Sequence, residues 1–345
     1  MELSVHPYFL KFQRPFELAH GTREGTQLAF VMLHHEGITA YGEASLPPYL
    51  KESYDSVHEW VMKQSDSLAD ILKKNPFEDS SSIPFSADHP AASAALSSAI
   101  LHWYVATQGK TLADYVPSSG SRPELCLTLS KRDYDDLEEK LKLAQRFSVL
   151  KLKLTGTYDD MEFVEAVRKR TEMPFAVDVN QGCKNKEEAA RLIHALEAKQ
   201  CLMVEQPLKD IDHDGHYWLK QRVQTPVIAD ESIRLFDDLL QYHEAYSGVN
   251  VKLMKCGGLL QAQKMLQYEV SANEGRDFIK VLGCMSESSL GVYTASVLAS
   301  QCDMADQDAP YLTQNDPFEG FHIVDGRIER EEAVRLKEGY SLDDT

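Results

Sequence analysis

Residues 149–182 read VLKLKLTGTYDDMEFVEAVRKRTEMPFAVDVNQG, and the fold class follows from the pattern within them. Two short apolar runs, at 149–154 and 175–179, enclose the charged segment DDMEFVEAVRKR. Apolar runs of this length that alternate with helical segments of about 10–15 residues predict strand–helix units and a parallel sheet. The stretch therefore predicts one strand–helix–strand unit of an α/β protein.

The same pattern continues on both sides of this stretch. Further apolar runs occur at 124–129, 201–205, 226–229, 249–254, 278–282 and 297–304. Eight strands that alternate with helices favour a closed barrel over an open, doubly wound sheet. No G-x-G-x-x-G follows the early strands and no G-x-x-x-x-G-K-[ST] occurs, so the usual nucleotide-binding sites are excluded.

The two ends of the chain lack this repeat. The first third predicts an α+β arrangement, with three strands followed by two helices and a loop rich in Pro and Ser between the helices. The strands are predicted at 2–12, 27–34 and 38–43, and the helices at 52–73 and 90–108. We therefore predict a capping domain formed by residues 1–118 plus 310–345, and a barrel domain formed by residues 119–309.

Composition excludes several classes of function. The chain has 36 Lys+Arg against 54 Asp+Glu, a formal net charge of −18, which argues against a nucleic-acid partner. No stretch approaches the ~18 consecutive apolar residues of a membrane span, and the N-terminus shows no secretory signal. The six cysteines lack zinc-site spacing, so we expect reduced thiols and a cytoplasmic protein.

Charged residues end five successive barrel strands, at intervals of 22 to 27 residues. They are Lys153, Asp178, Glu205, Asp230 and Lys252. The carboxyl ends of barrel strands carry the chemistry of this fold, and buried charges are costly unless they are paired or bind a metal. The regular spacing therefore predicts one site that contains all five side chains.

The three carboxylates are oxygen donors, which suit a hard cation, Mg²⁺ first and Mn²⁺ second. The two lysines are expected on opposite walls beside the cation, whose charge would lower their pKa toward that of a base. Lys151 shares a face with Lys153, so we expect it to lower the pKa of Lys153 and to offer charge to a developing oxyanion. This set fits abstraction of a proton α to a carboxylate.

At these residues the chain resembles the enolase superfamily, specifically its muconate-lactonising subgroup. The motifs that carry the resemblance are Tyr41-Gly42-Glu43-Ala44, Lys151-x-Lys153, Asp178-Val-Asn180, Glu205-Gln-Pro207, Ala229-Asp230-Glu231-Ser232 and Lys252-Leu-Met-Lys255-Cys-Gly-Gly258. The resemblance implies an enolase-like (β/α)7β TIM-type barrel with an α+β capping domain. It also implies Mg²⁺ on the three carboxylates and acid/base roles for Lys153 and Lys252 on opposite faces of the substrate. Lys255 is expected to face away from Lys252 as a supporting residue.

The end of the last strand narrows the reaction. Asp306 and Asp308 look like the pair with which dipeptide epimerases of this subgroup hold a substrate ammonium, although an acidic surface loop would have the same sequence. Arg23, in the loop 19–23, would pair with an acidic substrate side chain, as in L-Ala-D/L-Glu epimerases; a solvent-exposed arginine is the alternative. Substrate contacts are also expected from Thr128 on the first barrel strand and from Cys284 and Met285 after the seventh.

These features predict a Mg²⁺-dependent dipeptide epimerase, an isomerase that inverts the α-carbon of the C-terminal residue by transferring protons through two lysines. An o-succinylbenzoate synthase or cycloisomerase of the same subgroup is the first alternative. A Schiff-base aldolase, with Lys153 or Lys252 as nucleophile, and a barrel that only binds metal are more remote. The expected partner is a small dipeptide, and a homo-oligomer remains possible.

Overall fold

The computed structural model describes residues 1–18, 21–270 and 277–342. The strands are β1 Glu2–Leu18, β2 Gly21–His35, β3 Ile38–Leu46, β4 Glu124–Leu129, β5 Val149–Lys153, β6 Phe175–Asp178, β7 Val204–Glu205, β8 Val227–Ala229, β9 Gly248–Val251, β10 Ile279–Leu282, β11 Met304–Ala305, β12 Phe318–Val324 and β13 Arg327–Leu336. The α-helices are α1 Tyr54–Met62, α2 Ser65–Ile71, α3 Pro90–Thr107, α4 Leu137–Ala144, α5 Asp160–Arg168, α6 Lys186–Glu197, α7 His213–Lys220, α8 Phe236–Tyr242, α9 Leu253–Cys256, α10 Leu259–Gln267 and α11 Ser289–Ser296. Single 3₁₀ turns lie at Ser80–Ser82, Leu112–Asp114, Lys131–Asp136, His243–Ala245, Ala299–Gln301 and Ala309–Leu312.

Strands β4 to β11 form a closed, parallel barrel, which confirms the predicted fold class. The hydrogen-bonded order follows the chain from β4 to β11, and β11 pairs with β4 to close the ring. In the register of this sheet Lys153 lies beside Asp178, and Asp178 lies beside Glu205. Three of the charged strand ends therefore lie at one level of the barrel.

The barrel interior has an apolar layer beneath these charges. Its members form one buried cluster to which most strands contribute one residue: Cys126, Val149, Ala176, Met203, Ile228, Val281 and Met304. Because side chains two residues apart share a face of a strand, the next inward residue after most of these is polar. Those polar residues are Thr128, Lys151, Asp178, Glu205, Asp230 and Asp306. The apolar layer closes the barrel below the charged groups.

Three elements differ from the sequence prediction. The predicted strand 297–304 is wrong over most of its length, because a 3₁₀ turn lies at Ala299–Gln301 and β11 contains only Met304 and Ala305. Val297, Leu298, Ala299 and Cys302 are buried, so the segment resembles the apolar run of a buried strand. The predicted helix 52–73 is two helices, α1 and α2. The first two strands are longer than predicted, because β1 continues past residue 12 to Leu18 and β2 begins at Gly21 rather than at residue 27.

The capping sheet β1–β2–β3 is antiparallel and packs on α3, a helix with 13 buried residues. The contact is closest at Gly42, where a Cβ atom would lie 1.8 Å from the carbonyl oxygen of Ala95. The N-terminus of α3 is held by Glu52, whose carboxylate accepts hydrogen bonds from Ala91 N at 2.7 Å and Ala92 N at 3.0 Å. These contacts fix the loop 47–52 over the barrel.

Helix α11 joins the barrel to both ends of the chain. Its first turn donates to two carboxylates, from Ser288 N to Glu43 at 2.9 Å and from Ser289 N to Asp316 at 2.8 Å. Phe318, which follows, packs edge-on against Phe30 at 5.1 Å between ring centroids. The domain limits at 118 and 309 remain a prediction. Within the described residues, no helix has the length and apolarity needed to cross a membrane.

We expect Gly42→Ala to lower the free energy of unfolding by about 1–3 kcal/mol, because the added methyl group would push β3 away from α3. Thermal denaturation should show a lower midpoint. Thr39→Ala, on the exposed side of the same strand, is the control and should change stability by less than about 0.5 kcal/mol. Wild-type stability of Gly42→Ala would contradict the close contact.

Candidate active site

A cavity of about 200 Å³ lies between the carboxyl ends of the barrel strands and the capping loops. The metal-site residue Asp230 lines it. Eight of the predicted catalytic and substrate-binding residues also line it: Arg23, Thr128, Lys153, Lys252, Cys284, Met285, Asp306 and Asp308. Lys151, Asp178 and Glu205 do not line it and are almost fully buried, with 0 to 1% exposure. The predicted residues therefore surround one cavity or lie next to groups that do.

Three buried carboxylates form the candidate metal site. One oxygen from each lies within 4.8 Å of the others. Burial and, after it, the neighbouring Asp178 carboxylate raise the pKa of Glu205 to about 8. Burial also opposes ionisation of Asp178, but Lys153 and Lys151 outweigh it and lower that pKa to about 2. The negative charge is only partly balanced, and a divalent cation with oxygen ligands fits this donor set.

The candidate bases approach the cavity from opposite sides. Lys153 ends β5 and Lys252 follows β9, which are four steps apart in a ring of eight strands. Lys153 Nζ donates to Asp178 Oδ2 at 2.6 Å and to Asn180 Oδ1 at 3.1 Å. Lys252 Nζ donates to Asp230 Oδ2 at 2.7 Å. A planar carbon centre held between them would be within reach of one amine on each face.

The carboxylates raise the pKa of both lysines, opposite to the expected lowering. Burial lowers the pKa of Lys153, but the nearby carboxylates, Asp178 first, together raise it above its ordinary value. Burial also lowers the pKa of Lys252, and Asp230 with Glu205 raises it well above its ordinary value. Lys151 acts in the expected direction and lowers the pKa of Lys153. A divalent cation on the same carboxylates would also lower these values, because its charge opposes the carboxylates.

Lys151 lies beneath the cavity rather than on its wall. Its Nζ lies 2.7 Å from Asp306 Oδ2, 2.8 Å from Glu205 Oε2 and 3.3 Å from Asp178 Oδ2. Burial lowers its pKa, but these three carboxylates reverse the effect and raise it well above the ordinary value. Lys151 therefore remains an ammonium that neutralises its neighbours.

The predicted ammonium site is built from β4 and the segment after β11. Asp308 Oδ2 accepts a hydrogen bond from Thr128 N at 2.5 Å, and Asp306 already faces Lys151. Burial, with a further contribution from Asp306, raises the pKa of Asp308 to about 7. A cationic ligand beside Asp308 would favour its ionised form. Both aspartates line the cavity, so the reading as an exposed acidic loop is wrong.

Arg23 is in the wall of the cavity and is only partly exposed. Its guanidinium lies 5.6 Å from the ring centroid of Phe12 and 6.0 Å from that of Tyr49, and Nη2 donates to Gly25 O at 3.3 Å. Its Nε is buried without a hydrogen-bond partner in the described part of the chain. The preceding loop residues 19 and 20 lie outside the described residues.

The structure corrects the expected orientation of Lys255 and adds two residues to the site. Lys255 was expected to face away from Lys252, but its Nζ donates to the same carboxylate, at 2.5 Å to Asp230 Oδ1, and to Asn250 O at 2.8 Å. Asn180 and Glu231 line the cavity next to the metal-site carboxylates. Their positions in the motifs after β6 and β8 were visible, but the contacts of their side chains were not.

Comparisons with known proteins agree with this geometry. A profile of the family described as enolase C-terminal domain-like matches residues 134–340. The L-Ala-D/L-Glu epimerase of Bacteroides thetaiotaomicron is 36% identical over 341 residues, which cover 95% of this chain and 85% of that protein. The dipeptide epimerase of Enterococcus faecalis, solved in complex with Mg and L-Leu-L-Tyr, aligns with a TM-score of 0.83 at 26% identity, covering 96% of this chain and 97% of that one. An o-succinylbenzoate synthase of Listeria innocua is 27% identical over 74% of this chain and 70% of that protein.

We expect Lys255→Met to destabilise the protein by about 3–5 kcal/mol, because the buried Asp230 loses a charged partner while its own burial is unchanged. Chemical denaturation measures the loss. Lys199→Met is the control: its Nζ lies 3.6 Å from Glu165 at the surface, and removing such a pair should cost less than about 1 kcal/mol. Similar losses for the two variants would show that the Lys255 contacts are not stabilising.

Proposed function

This chain belongs to the enolase superfamily, and on that premise we propose that it is a Mg²⁺-dependent dipeptide epimerase. The named activities of its relatives assign it to the isomerases. The observation that carries the proposal is the pair of lysines, Lys153 and Lys252, which reach one cavity from opposite sides of the barrel beside three buried carboxylates. The substrate would be a dipeptide whose C-terminal residue is inverted at its α-carbon.

The two lysines would exchange protons with the substrate in turn. The neutral Nζ of one accepts the α-proton on its face of the carbon, and the ammonium of the other donates a proton to the opposite face. Mg²⁺ held by Asp178, Glu205 and Asp230, with Mn²⁺ as a possible substitute, would supply positive charge where negative charge develops on the substrate carboxylate. Lys151, which lies beneath the cavity, contacts Asp178, Glu205 and Asp306 and would hold them in place.

The rest of the cavity would orient the dipeptide. Asp308, with Asp306 and Thr128 beside it, would accept hydrogen bonds from the substrate ammonium. Cys284 and Met285, on the loop after β10, would contact the dipeptide on the adjacent wall of the cavity. This subsite supports a dipeptide over the substrates of o-succinylbenzoate synthases or cycloisomerases, which bring no ammonium to balance two buried carboxylates.

The remaining alternatives have less support. A Schiff-base aldolase needs one nucleophilic lysine and no metal, so it leaves unexplained the second lysine across the cavity and the three buried carboxylates that suit a cation. A barrel that only binds metal would have no use for two lysines across one cavity. A cytoplasmic location and the state of assembly remain predictions from the sequence.

The proposed reaction predicts exchange of the substrate α-proton with solvent. Incubation of the protein and Mg²⁺ with L-Ala-L-Glu in D₂O should remove the glutamyl α-proton signal from the NMR spectrum and produce the L-Ala-D-Glu diastereomer. EDTA should stop both changes. Lys153→Ala and Lys252→Ala should each abolish production of the diastereomer, because one face of the carbon loses its acid or base.

The same spectra also reveal failure. A panel of acidic and hydrophobic dipeptides that shows no exchange would rule out the epimerase assignment and leave the fold unaffected. A single lysine variant with full epimerising activity would rule out the two-base mechanism. Retention of activity in EDTA, together with trapping of a substrate by borohydride, would favour the Schiff-base alternative.

Arg23 is proposed to select an acidic side chain on the inverted residue, since its buried Nε has no hydrogen-bond partner among the described residues and a carboxylate would supply one. We expect Arg23→Gln to lower kcat/KM for L-Ala-L-Glu by roughly 10- to 100-fold, the value of a hydrogen-bonded charge pair. For L-Ala-L-Leu the change should be less than about 3-fold, which corresponds to a weak contact. Equal losses on both substrates would contradict a role in specificity.

A further inference from the structure

The chain turns sharply after β6, immediately beyond the metal-site carboxylate Asp178. Asn180 and Gln181 have φ of +45° and +67°, two successive non-glycine residues in the left-handed region. Asn tolerates this conformation better than most residues, but each such residue is costly and persists only where its surroundings hold it. Gln181 provides the hold: its N donates to Gln206 O at 2.7 Å, and its Oε1 accepts from Asp210 N at 3.0 Å.

The turn directs the Asn180 amide between two charged groups. Its Oδ1 accepts from Lys153 Nζ at 3.1 Å, and its Nδ2 donates to Glu231 Oε1 at 3.3 Å. An amide has one accepting and one donating end, so a carboxylate at the Nδ2 end forces the Oδ1 end toward the lysine. The orientation of Asn180 is therefore set by Glu231, a residue from a different strand end.

The contact between Asn180 and Lys153 determines which N–H position of the Lys153 ammonium is left without an acceptor. An ammonium has three N–H groups, and in the described residues Asp178 and Asn180 accept two of them. Lys153 lines the cavity, so the third position, which would become the lone pair of the neutral amine, is the one left for a ligand bound there. Asp178 alone would leave the amine free to rotate about a single hydrogen bond.

Lys252 is held differently. Its Nζ donates to Asp230 Oδ2, the carboxylate whose other oxygen accepts from Lys255. No amide contacts Lys252 Nζ among the residues that the structure describes. A change at Asn180 or Glu231 should therefore affect one of the two lysines, and so one face of the substrate.

We propose that Glu231 and Asn180 are positioning residues that aim the amine of Lys153 at the substrate α-carbon. The inference rests on the proposed epimerase function and adds to it a means of positioning the lysine on one face of the substrate. Glu231 orients the Asn180 amide, and the amide orients Lys153. Neither residue gives or takes the substrate proton.

The test measures α-proton exchange in D₂O separately for L-Ala-L-Glu and L-Ala-D-Glu, each starting from the pure diastereomer. Lys153→Ala first identifies the diastereomer that depends on Lys153, because its exchange is lost while Lys252 still exchanges the other. Glu231→Ala, Glu231→Gln and Asn180→Ala are then compared. Lys184→Ala, an exposed residue beyond the same turn, is the matched control.

Glu231→Ala and Asn180→Ala should slow exchange of the Lys153-dependent diastereomer by roughly 10- to 100-fold in kcat, the effect of losing a hydrogen bond to a charged group. KM and exchange of the other diastereomer should change by less than about 3-fold, as expected for groups outside the altered contact. Glu231→Gln, whose amide oxygen can still accept from Asn180, should restore most of the rate. Lys184→Ala should match the wild type.

Equal slowing of both diastereomers, or a Glu231→Gln variant as slow as Glu231→Ala, would overturn the proposal in favour of a general structural or charge effect. If both diastereomers slow equally, calorimetric titration with Mg²⁺ shows whether the metal site is damaged, because damage to that site lowers Mg²⁺ affinity. If the wild type exchanges no dipeptide, the proposed function fails. Crystal structures then test positioning alone: an Nζ of Lys153 that stays on Asn180 in Glu231→Ala overturns the inference, and a displaced Nζ supports it.

Discussion

Charge balance among buried groups governs the construction of the barrel mouth. Four lysines and five carboxylates share the barrel mouth, and most of them are almost fully buried. They are Lys151, Lys153, Lys252 and Lys255, and Asp178, Glu205, Asp230, Asp306 and Asp308. Lys151 contacts three of the carboxylates, and Asp230 accepts from two lysines. Each group is tolerable only because the others are ionised and in place, since an unpaired buried charge costs several kcal/mol. Precise placement of the cavity lysines follows from this mutual dependence.

The strand ends could be predicted from the sequence because one physical period controls them. A βα unit of nearly constant length places Lys153, Asp178 and Glu205 at one level, and alternation along β5 puts Lys151 on the same inward face. The apolar layer below follows from the same alternation. The spacing between strands and the alternation within each strand are both visible in a single sequence. The barrel and the residues around its cavity could therefore be predicted, and the roles of those residues stay proposals.

The parts that were missed depend on contacts between distant segments. Nothing local distinguishes the buried residues Val297, Leu298 and Ala299, which lead into a 3₁₀ turn, from the apolar run of a buried strand. The depth of Lys151 below the cavity depends on Asp306, 155 residues away. The left-handed backbone at Asn180 is stabilised by Gln206 and Asp210, not by its own sequence. These features depend on tertiary contacts, which the periodicity of the sequence does not predict.

The capping of α11 by Glu43 and Asp316 has a consequence for how the protein is made. Glu43 precedes its partner Ser288 by 245 residues, whereas Asp316 follows its partner Ser289 by only 27. On a ribosome the capping sheet emerges first and has no barrel to dock on, so its apolar underside stays exposed during most of synthesis. Contacts over such distances form late because they carry the largest loop-closure entropy. The cavity therefore closes late in folding, because its N-terminal capping loops can dock only on a barrel that β11 completes.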